Sequence, residues 1–141
     1  MQINNWRDAE DCVQHYFNNL GKESFCYKIT DTAEVNRGSK GKKVIAKAVP
    51  SDFIVTINGS MFYLEVKYCS DEKSFNFSNF TKTELVYLKK QTAAHGIYFV
   101  YVYSSHLKKW FATTGTRIIN LMDEGKRSVK FKEMLPLNME I

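Results

Sequence analysis

The sequence has few of the residues from which disulfide frameworks and zinc sites are built. Its three cysteines, Cys12, Cys26 and Cys69, are odd in number, widely spaced and never in a Cys-x-x-Cys pair. We therefore interpret them as reduced thiols of a cytosolic protein with no zinc site. The three histidines are equally scattered. Any metal ion bound by this chain is expected to have oxygen ligands.

Long apolar runs are also missing. No segment approaches the roughly 18 consecutive apolar residues that a membrane-spanning helix needs. The first residues, MQINNWRDAED, are acidic and polar, unlike a signal peptide. A length of 141 residues with 44% hydrophobic residues is typical of one globular domain, which we predict over residues 1–141.

The start of the chain has the pattern of an amphipathic helix. Asn4 or Asn5 can cap it and Gly21 can end it. Glu10 falls at the edge of an apolar stripe at helical spacing that contains Trp6, Ala9, Val13, Phe17 and Leu20. A helix with one buried face is therefore predicted here.

Strand and helix patterns then alternate. Strands are predicted over SFCYKIT, on both sides of Asn58-Gly59, over GIYFVYVYSS and over KWFATTG. The tyrosines and phenylalanine of GIYFVYVYSS are predicted to belong to the core and sheet surface. Helices are predicted from Thr81 to His95 and around TRIINLMDEG. Because a helix separates the strand of Glu65 from the next strand, we expect a parallel crossover and an α/β sandwich around a mixed central sheet.

The stretch PSDFIVTINGSMFYLEVKY places carboxylates inside apolar strands. Asn58-Gly59 is the strongest short signal for a two-residue hairpin turn. Counting outward from that turn sets Asp52 directly opposite Glu65, with Cβ atoms roughly 4.5–5.5 Å apart. Lys67 then shares the face of Glu65, and the opposite face carries Phe62, Leu64 and Val66.

Two opposed carboxylates repel each other unless something compensates. Lys67, a shared proton or a divalent cation could do so, and paired hard oxygen ligands suit Mg²⁺. The alternative is a surface hairpin whose polar face simply carries Asp, Glu and Lys.

Pro-Ser-Asp, a hairpin spacer and Glu65-Val66-Lys67 resemble the signature of the PD-(D/E)xK nucleases. The longer segment EVKYCSDEKSFNFSNFTKTELVYLKKQTAAHGIYFVYV is similar to the RecU-type Holliday-junction resolvases. The resemblance covers roughly residues 6–141 and implies a restriction-endonuclease-like α/β core, with elements in the order αβββαβ. The chain differs from the family in having Glu84 where a Gln is usual, in lacking an extended N-terminal arm and in having a shorter basic stalk.

The resemblance implies roles for the hairpin residues. Asp52 and Glu65 would bind Mg²⁺, which Mn²⁺ would be able to replace, and the backbone carbonyl of Val66 would be a further ligand. Lys67 would orient or deprotonate the attacking water or stabilise the transition state. The alternative for Lys67 is a plain ion pair with the carboxylates.

Two helical acids are further candidates. Glu10 resembles the first-helix acid of the superfamily, which binds metal directly or through water; the alternative is an ordinary helix-face glutamate. Glu84 either forms a capping box with Thr81 or lies at the edge of the site.

Basic residues are concentrated in two segments. The segment at about 31–49, predicted to be a basic loop or short stalk, has no acid between its DNA-binding candidates Arg37, Lys40, Lys42, Lys43 and Lys47. A second cluster consists of Lys126, Arg127, Lys130 and Lys132. Such clusters suit a polyanion such as DNA, the alternative being a solvated surface.

Together these features predict a Mg²⁺-dependent endonuclease that cleaves branched DNA, with the four-way junction as its expected substrate. Two symmetric cuts would call for a C2 homodimer, acting in the cytoplasm of a bacterial or phage-infected cell. Three alternatives stay open: a sequence-specific homing or restriction-type endonuclease of the same fold, a non-catalytic DNA-binding module, and a partner of acidic proteins.

Overall fold

The computed structural model describes residues 1–30 and 49–140. Within them, helix α1 spans Trp6–Asn18, α2 spans Lys82–Ala93 and α3 spans Gly115–Asp123. The strands are β1 Ser24–Lys28, β2 Phe53–Ile57, β3 Ser60–Cys69, β4 Ser74–Asn76, β5 Tyr98–Ser104, β6 Lys109–Thr114, β7 Ser128–Lys130 and β8 Leu135–Leu137. Short 3-10 helices follow β4 and β7, at Phe77–Asn79 and Phe131–Glu133.

Six strands form one mixed sheet in the order β1-β2-β3-β5-β6-β8. Only the β3–β5 pair among them is parallel, and α2 lies between these strands in the chain. The other neighbours are antiparallel. The predicted mixed sheet, flanking helices and parallel crossover are therefore confirmed.

Each face of the sheet has its own apolar core. On one face, Ala9, Val13 and Phe17 of α1 pack with residues that include Phe62 and Leu64 of β3. On the other face, α2, α3 and a small β4–β7 sheet cover β5 and β6. Because side chains alternate along a strand, Glu65 and Lys67 point away from α1. They share a face opposite Phe62, Leu64 and Val66, as predicted.

Helix α1 begins as predicted but buries a shorter stripe. The side chain of Asn5 accepts a hydrogen bond from the N–H of Asp8 and caps the helix. Trp6 and Leu20, predicted to continue the buried stripe, are about half exposed, at 52% and 48%. Both lie at the ends of the segment, beyond the middle turns that cover the sheet.

Helix α2 has the predicted capping box at Thr81 but ends at Ala93, two residues before the predicted His95. His95 itself takes the left-handed conformation, with φ 61°, so the turn out of the helix precedes Gly96. At Gly96 a Cβ atom would lie 2.1 Å from the side chain of Gln91. This glycine allows close approach rather than a left-handed turn.

The basic segment GKRSVKFK contains a strand that the sequence did not indicate. Val129 in β7 and Phe131 after it are buried, at 1% and 4% exposure, while the four basic residues of the segment are exposed. No helix within residues 1–30 and 49–140 is both long enough and apolar enough to cross a membrane.

Candidate active site

The hairpin that carries the carboxylates has the predicted register. Ile57 pairs with Ser60 and Phe53 pairs with Leu64. The two residue numbers of each pair have the same sum, as a two-residue loop requires. Asn58 and Gly59 both have positive φ, at 50° and 85°, which is the mark of a type I′ turn. One residue beyond Phe53, Asp52 faces Glu65.

Asp52 lies just before β2 and is fixed through both backbone and side chain. Its carbonyl accepts a hydrogen bond from the N–H of Ile29 at 2.9 Å, and its Oδ2 accepts one from the N–H of Val66 at 2.8 Å. In an antiparallel ladder the N–H and C=O of one residue point to the same side. The Val66 carbonyl is therefore directed toward the segment that carries Asp52.

Glu65 is a buried carboxyl group in contact with a second carboxyl group. Its exposure is 4%. Burial raises the pKa of Glu65 well above its ordinary value, and the charge of Asp52 and a hydrogen bond with it raise the pKa further; Lys67 only partly opposes these effects. Glu65 is therefore expected to keep its proton to a higher pH than an ordinary glutamate does.

Tyr98 is a site residue that the sequence analysis assigned only to the core. Its hydroxyl lies 3.2 Å from Oε2 of Glu65 and 2.9 Å from the carbonyl oxygen of Pro50. In the parallel register Tyr98 pairs with Tyr63. Tyr98 therefore lies two residues before Val100, which is the partner of Glu65. Only the pairing of β3 with β5 reveals this proximity, because the two strands are far apart in the chain.

Lys67 extends from the same face toward α2. Its Nζ lies 2.6 Å from Oε2 of Glu84 and 5.3 Å from the centre of the Phe80 ring. The two charged side chains are 16% and 20% exposed. The predicted alternative for Lys67 is an ion pair with Asp52 and Glu65, whereas the ion pair in the structure is with Glu84.

Glu84 also makes the predicted capping box. Its Oε1 accepts a hydrogen bond from the N–H of Thr81 at 2.8 Å, and the Thr81 hydroxyl accepts one from the N–H of Glu84 at 3.1 Å. Burial acts to raise the pKa of Glu84, but hydrogen bonds from Lys67 and Thr81 outweigh it, and the net pKa lies below its ordinary value. Glu84 is therefore ionised at neutral pH.

The family model described as recombination protein U matches residues 13–141. The chain belongs to the recombination protein U family. The resemblance to RecU-type Holliday-junction resolvases that the motifs indicated is thereby confirmed.

One solved structure similar to this RecU-family chain is that of Hjc from Archaeoglobus fulgidus, a Holliday junction resolvase from an archaeal hyperthermophile. The two share 12% sequence identity and a TM-score of 0.52, and the match covers 89% of each chain. At this identity the likeness establishes the fold, which is the predicted restriction-endonuclease-like core. A search of curated proteins finds no match.

The acid on α1 is placed differently from the carboxylate pair of this RecU-family chain. Glu10 is buried, at 7% exposure, on the helix that covers the opposite face of the sheet. Among residues 1–30 and 49–140, no three or more His, Cys, Asp or Glu side chains are grouped so as to hold one metal ion. Asp52 and Glu65 form a pair, and the role predicted for Glu10 stays a prediction.

The predicted stalk lies almost wholly outside the part of the RecU-family chain that the structure describes. This applies to every DNA-binding candidate in it: Arg37, Lys40, Lys42, Lys43 and Lys47. Their contacts with DNA stay predictions from charge and order along the chain.

Proposed function

We propose that this RecU-family protein is a metal-dependent endonuclease that hydrolyses phosphodiesters in branched DNA, with the four-way junction as its substrate. The observation that carries the proposal is that Asp52, Glu65 and Lys67 lie together on one face of the sheet. In a chain of this family, two carboxylates beside an ammonium group are the side chains that phosphodiester hydrolysis needs. We further propose that residues 1–141 form one nuclease domain, acting in the cytoplasm of a bacterial or phage-infected cell.

The residues present fit a Mg²⁺ ion, for which Mn²⁺ would substitute. Asp52 and Glu65 are close enough to share a hydrogen bond, and the backbone of Val66 contacts Asp52. Carboxylate and carbonyl oxygens are the hard ligands that Mg²⁺ prefers. We assign these three residues as ligands; the role predicted for Glu10, on the helix that covers the other face of the sheet, is not part of this assignment. When bound, the cation would polarise the phosphate and make water a better nucleophile at neutral pH.

Lys67 supplies the positive charge of the site. Its ammonium group can donate a hydrogen bond to a non-bridging phosphate oxygen or to the attacking water, and either contact is stronger in the transition state, where negative charge accumulates. Glu84, which holds Lys67 at 2.6 Å, restricts the ammonium group to the side of the site next to α2. Glu84 thus supports Lys67 rather than taking part in the reaction directly.

Resolution of a four-way junction requires two symmetric cuts, so we propose a C2 homodimer as the active species. The basic segment would contact phosphates without reading sequence, through Arg37, Lys40, Lys42, Lys43 and Lys47. Sedimentation equilibrium tests the assembly. A strictly monomeric protein that still made paired cuts would contradict the dimer.

The function is tested with three labelled substrates side by side: a four-way junction, a linear duplex of the same sequence and single-stranded DNA, each with Mg²⁺ and with Mn²⁺. We expect cleavage of the junction alone, and the same pattern on a junction of unrelated sequence. An Asp52→Asn protein is expected to bind the junction without cutting it.

The alternatives make different predictions in this assay. A sequence-specific endonuclease would cut a defined duplex, and a non-catalytic DNA-binding module would bind without cutting in either metal. A partner of acidic proteins would bind the junction no better than it binds another polyanion. Absence of cleavage of every substrate with both metals would overturn the enzymatic proposal.

A further inference from the structure

One tyrosine hydroxyl connects the two segments that carry the carboxylates. The Tyr98 hydroxyl contacts the carbonyl of Pro50, two residues before Asp52, and Oε2 of Glu65. Tyr98 lies on β5, whereas Pro50 precedes β2 and Glu65 is on β3. Three separate parts of the chain therefore meet at a single oxygen atom.

The position of this hydroxyl is itself well fixed. Tyr98 is 2% exposed and belongs to the same apolar cluster as Leu88 of α2 and Val100 of β5. A buried aromatic ring in a strand has few accessible rotamers. The hydroxyl has one proton and the Pro50 carbonyl can only accept, so the Tyr98–Glu65 hydrogen bond uses either that proton or the proton of a neutral Glu65. In both cases it restricts the rotation of the Glu65 carboxyl group, and so directs its second oxygen.

We propose that Tyr98 is a positioning residue, which orients Glu65 and ties the Pro50–Asp52 segment to it, so that both carboxylates are set in advance to bind one divalent cation. The proposal rests on the proposed function, because it assigns the cation to this pair. Tyr98 lies outside the Pro-Ser-Asp and Glu-Val-Lys motif. Its role follows from the contacts of its hydroxyl group.

The test compares Tyr98→Phe, which keeps the ring and removes the hydroxyl, with the parent protein. Mn²⁺ binding is measured by calorimetry without DNA. Loss of a group that orients a metal ligand typically lowers metal affinity by roughly 10–100-fold, and we expect at least a 10-fold loss here. The Mg²⁺ concentration for half-maximal junction cleavage should rise in parallel, with junction affinity in the absence of metal unchanged.

Tyr101→Phe is the matched control. Tyr101 is on the same strand but on the α1 face of the sheet, so the change removes a hydroxyl from β5 without touching the carboxylates. Its Mn²⁺ affinity should equal that of the parent. If Tyr98→Phe lowers the melting temperature but leaves Mn²⁺ affinity unchanged, the hydroxyl is only structural and the proposal is wrong.

A second substitution guards against a general folding defect in Tyr98→Phe. p-Aminophenylalanine at position 98 restores a hydrogen-bond donor on the same ring, and it should recover most of the Mn²⁺ affinity. Recovery no better than that of phenylalanine would overturn the proposal.

The Mn²⁺ measurement also separates the two proposals. A parent protein that binds Mn²⁺ but cuts no DNA contradicts the proposed function alone, and a parent that binds no Mn²⁺ contradicts the role of Tyr98.

Discussion

Glu84 uses its two carboxylate oxygens for different contacts. Oε1 closes the capping box of α2 through the N–H of Thr81, and Oε2 pairs with the ammonium group of Lys67. The two roles weighed for this residue from the sequence, helix cap and site residue, therefore coexist in one side chain. The stability of the start of α2 and the position of Lys67 are linked through it.

Substitution of Glu84 separates these contacts. Glu84→Gln keeps a single acceptor oxygen, which can serve the Thr81 N–H or Lys67 but not both, because its amide NH2 and the Lys67 ammonium group are both donors. It should therefore lose less free energy of unfolding than Glu84→Ala, which keeps neither contact. For Glu84→Ala we expect a loss of about 1–2 kcal/mol. Urea denaturation of both variants measures the difference.

Comparison of Glu84→Gln with Lys67→Ala defines the part of Glu84 in catalysis. If Glu84 only supports Lys67, Glu84→Gln should cleave the junction within about 10-fold of the parent rate, whereas Lys67→Ala should lose about 100-fold or more. Single-turnover cleavage at saturating Mg²⁺ gives both rates. A loss in Glu84→Gln as large as that in Lys67→Ala would mean that the negative charge of Glu84 is itself needed.

Glu65 makes the stability of the metal-free protein depend on pH. Because the pKa of Glu65 is raised in the folded protein, the folded state binds more protons than the unfolded state above the ordinary pKa of a carboxyl group. The free energy of unfolding should therefore fall as the pH rises through this window, by up to about 1.4 kcal/mol per pH unit. Glu65→Gln, which has no proton to lose, should remove most of this slope.

This dependence is measured by urea denaturation in EDTA from pH 5 to pH 8. The parent should lose stability across the range relative to Glu65→Gln, and addition of Mg²⁺ should stabilise the parent most at the high end, since the cation competes with the proton of Glu65. Equal slopes for the two proteins would show that Glu65 is ionised already at pH 5.

At the scale of the elements, the β2–β3 hairpin determines where the carboxylates meet. Gly59 has φ 85°, and no atom lies within 4 Å of a Cβ built there. Gly59→Ala should therefore lose about 1–2 kcal/mol from backbone strain alone. Asn58→Gly, which also suits a positive φ, is the control and should be nearly neutral in denaturation experiments.

The hairpin substitution should leave the site intact. Strand β2 is paired on both sides, with β1 and with β3, so its register does not depend on the turn alone. Mn²⁺ affinity of Gly59→Ala is expected to match that of the parent below its melting temperature. A large loss of Mn²⁺ affinity would mean that the turn is what holds Asp52 opposite Glu65.

Local signals explain which parts of the structure could be predicted. The register of Asp52 and Glu65 follows from a turn within eight residues of either, and the cap of α2 follows from Thr81 and Glu84 alone. The contacts of Tyr98 and Lys67 depend on how β5 and α2 lie against β3, which no short pattern encodes. Strands β4, β7 and β8 have only three residues each, too few for an alternating pattern to be recognised.

At the scale of the whole molecule, the placement of positive charge matters more than its total of +5. The exposed basic residues around β7 lie on the side of the sheet that carries Glu65, because Val129 and Phe131 belong to the same core as Tyr98 and Val100. Alternation of buried and exposed residues turns the basic side chains outward. We therefore predict that DNA bound at the carboxylates also contacts this surface, which consists of Lys126, Arg127, Lys130 and Lys132.

Lys130→Gln combined with Lys132→Gln tests this surface. If both lysines contact phosphates, the slope of log binding constant against log salt concentration should decrease by about 2, at roughly 0.9 per contact. Affinity should fall equally for junctions of unrelated sequence, since phosphate contacts carry no sequence information. Lys108→Gln with Lys109→Gln is the charge-matched control, because these lysines line a cavity beside α1 on the opposite face. Equal slopes for the two double variants would show that the basic residues around β7 are only a solvated surface.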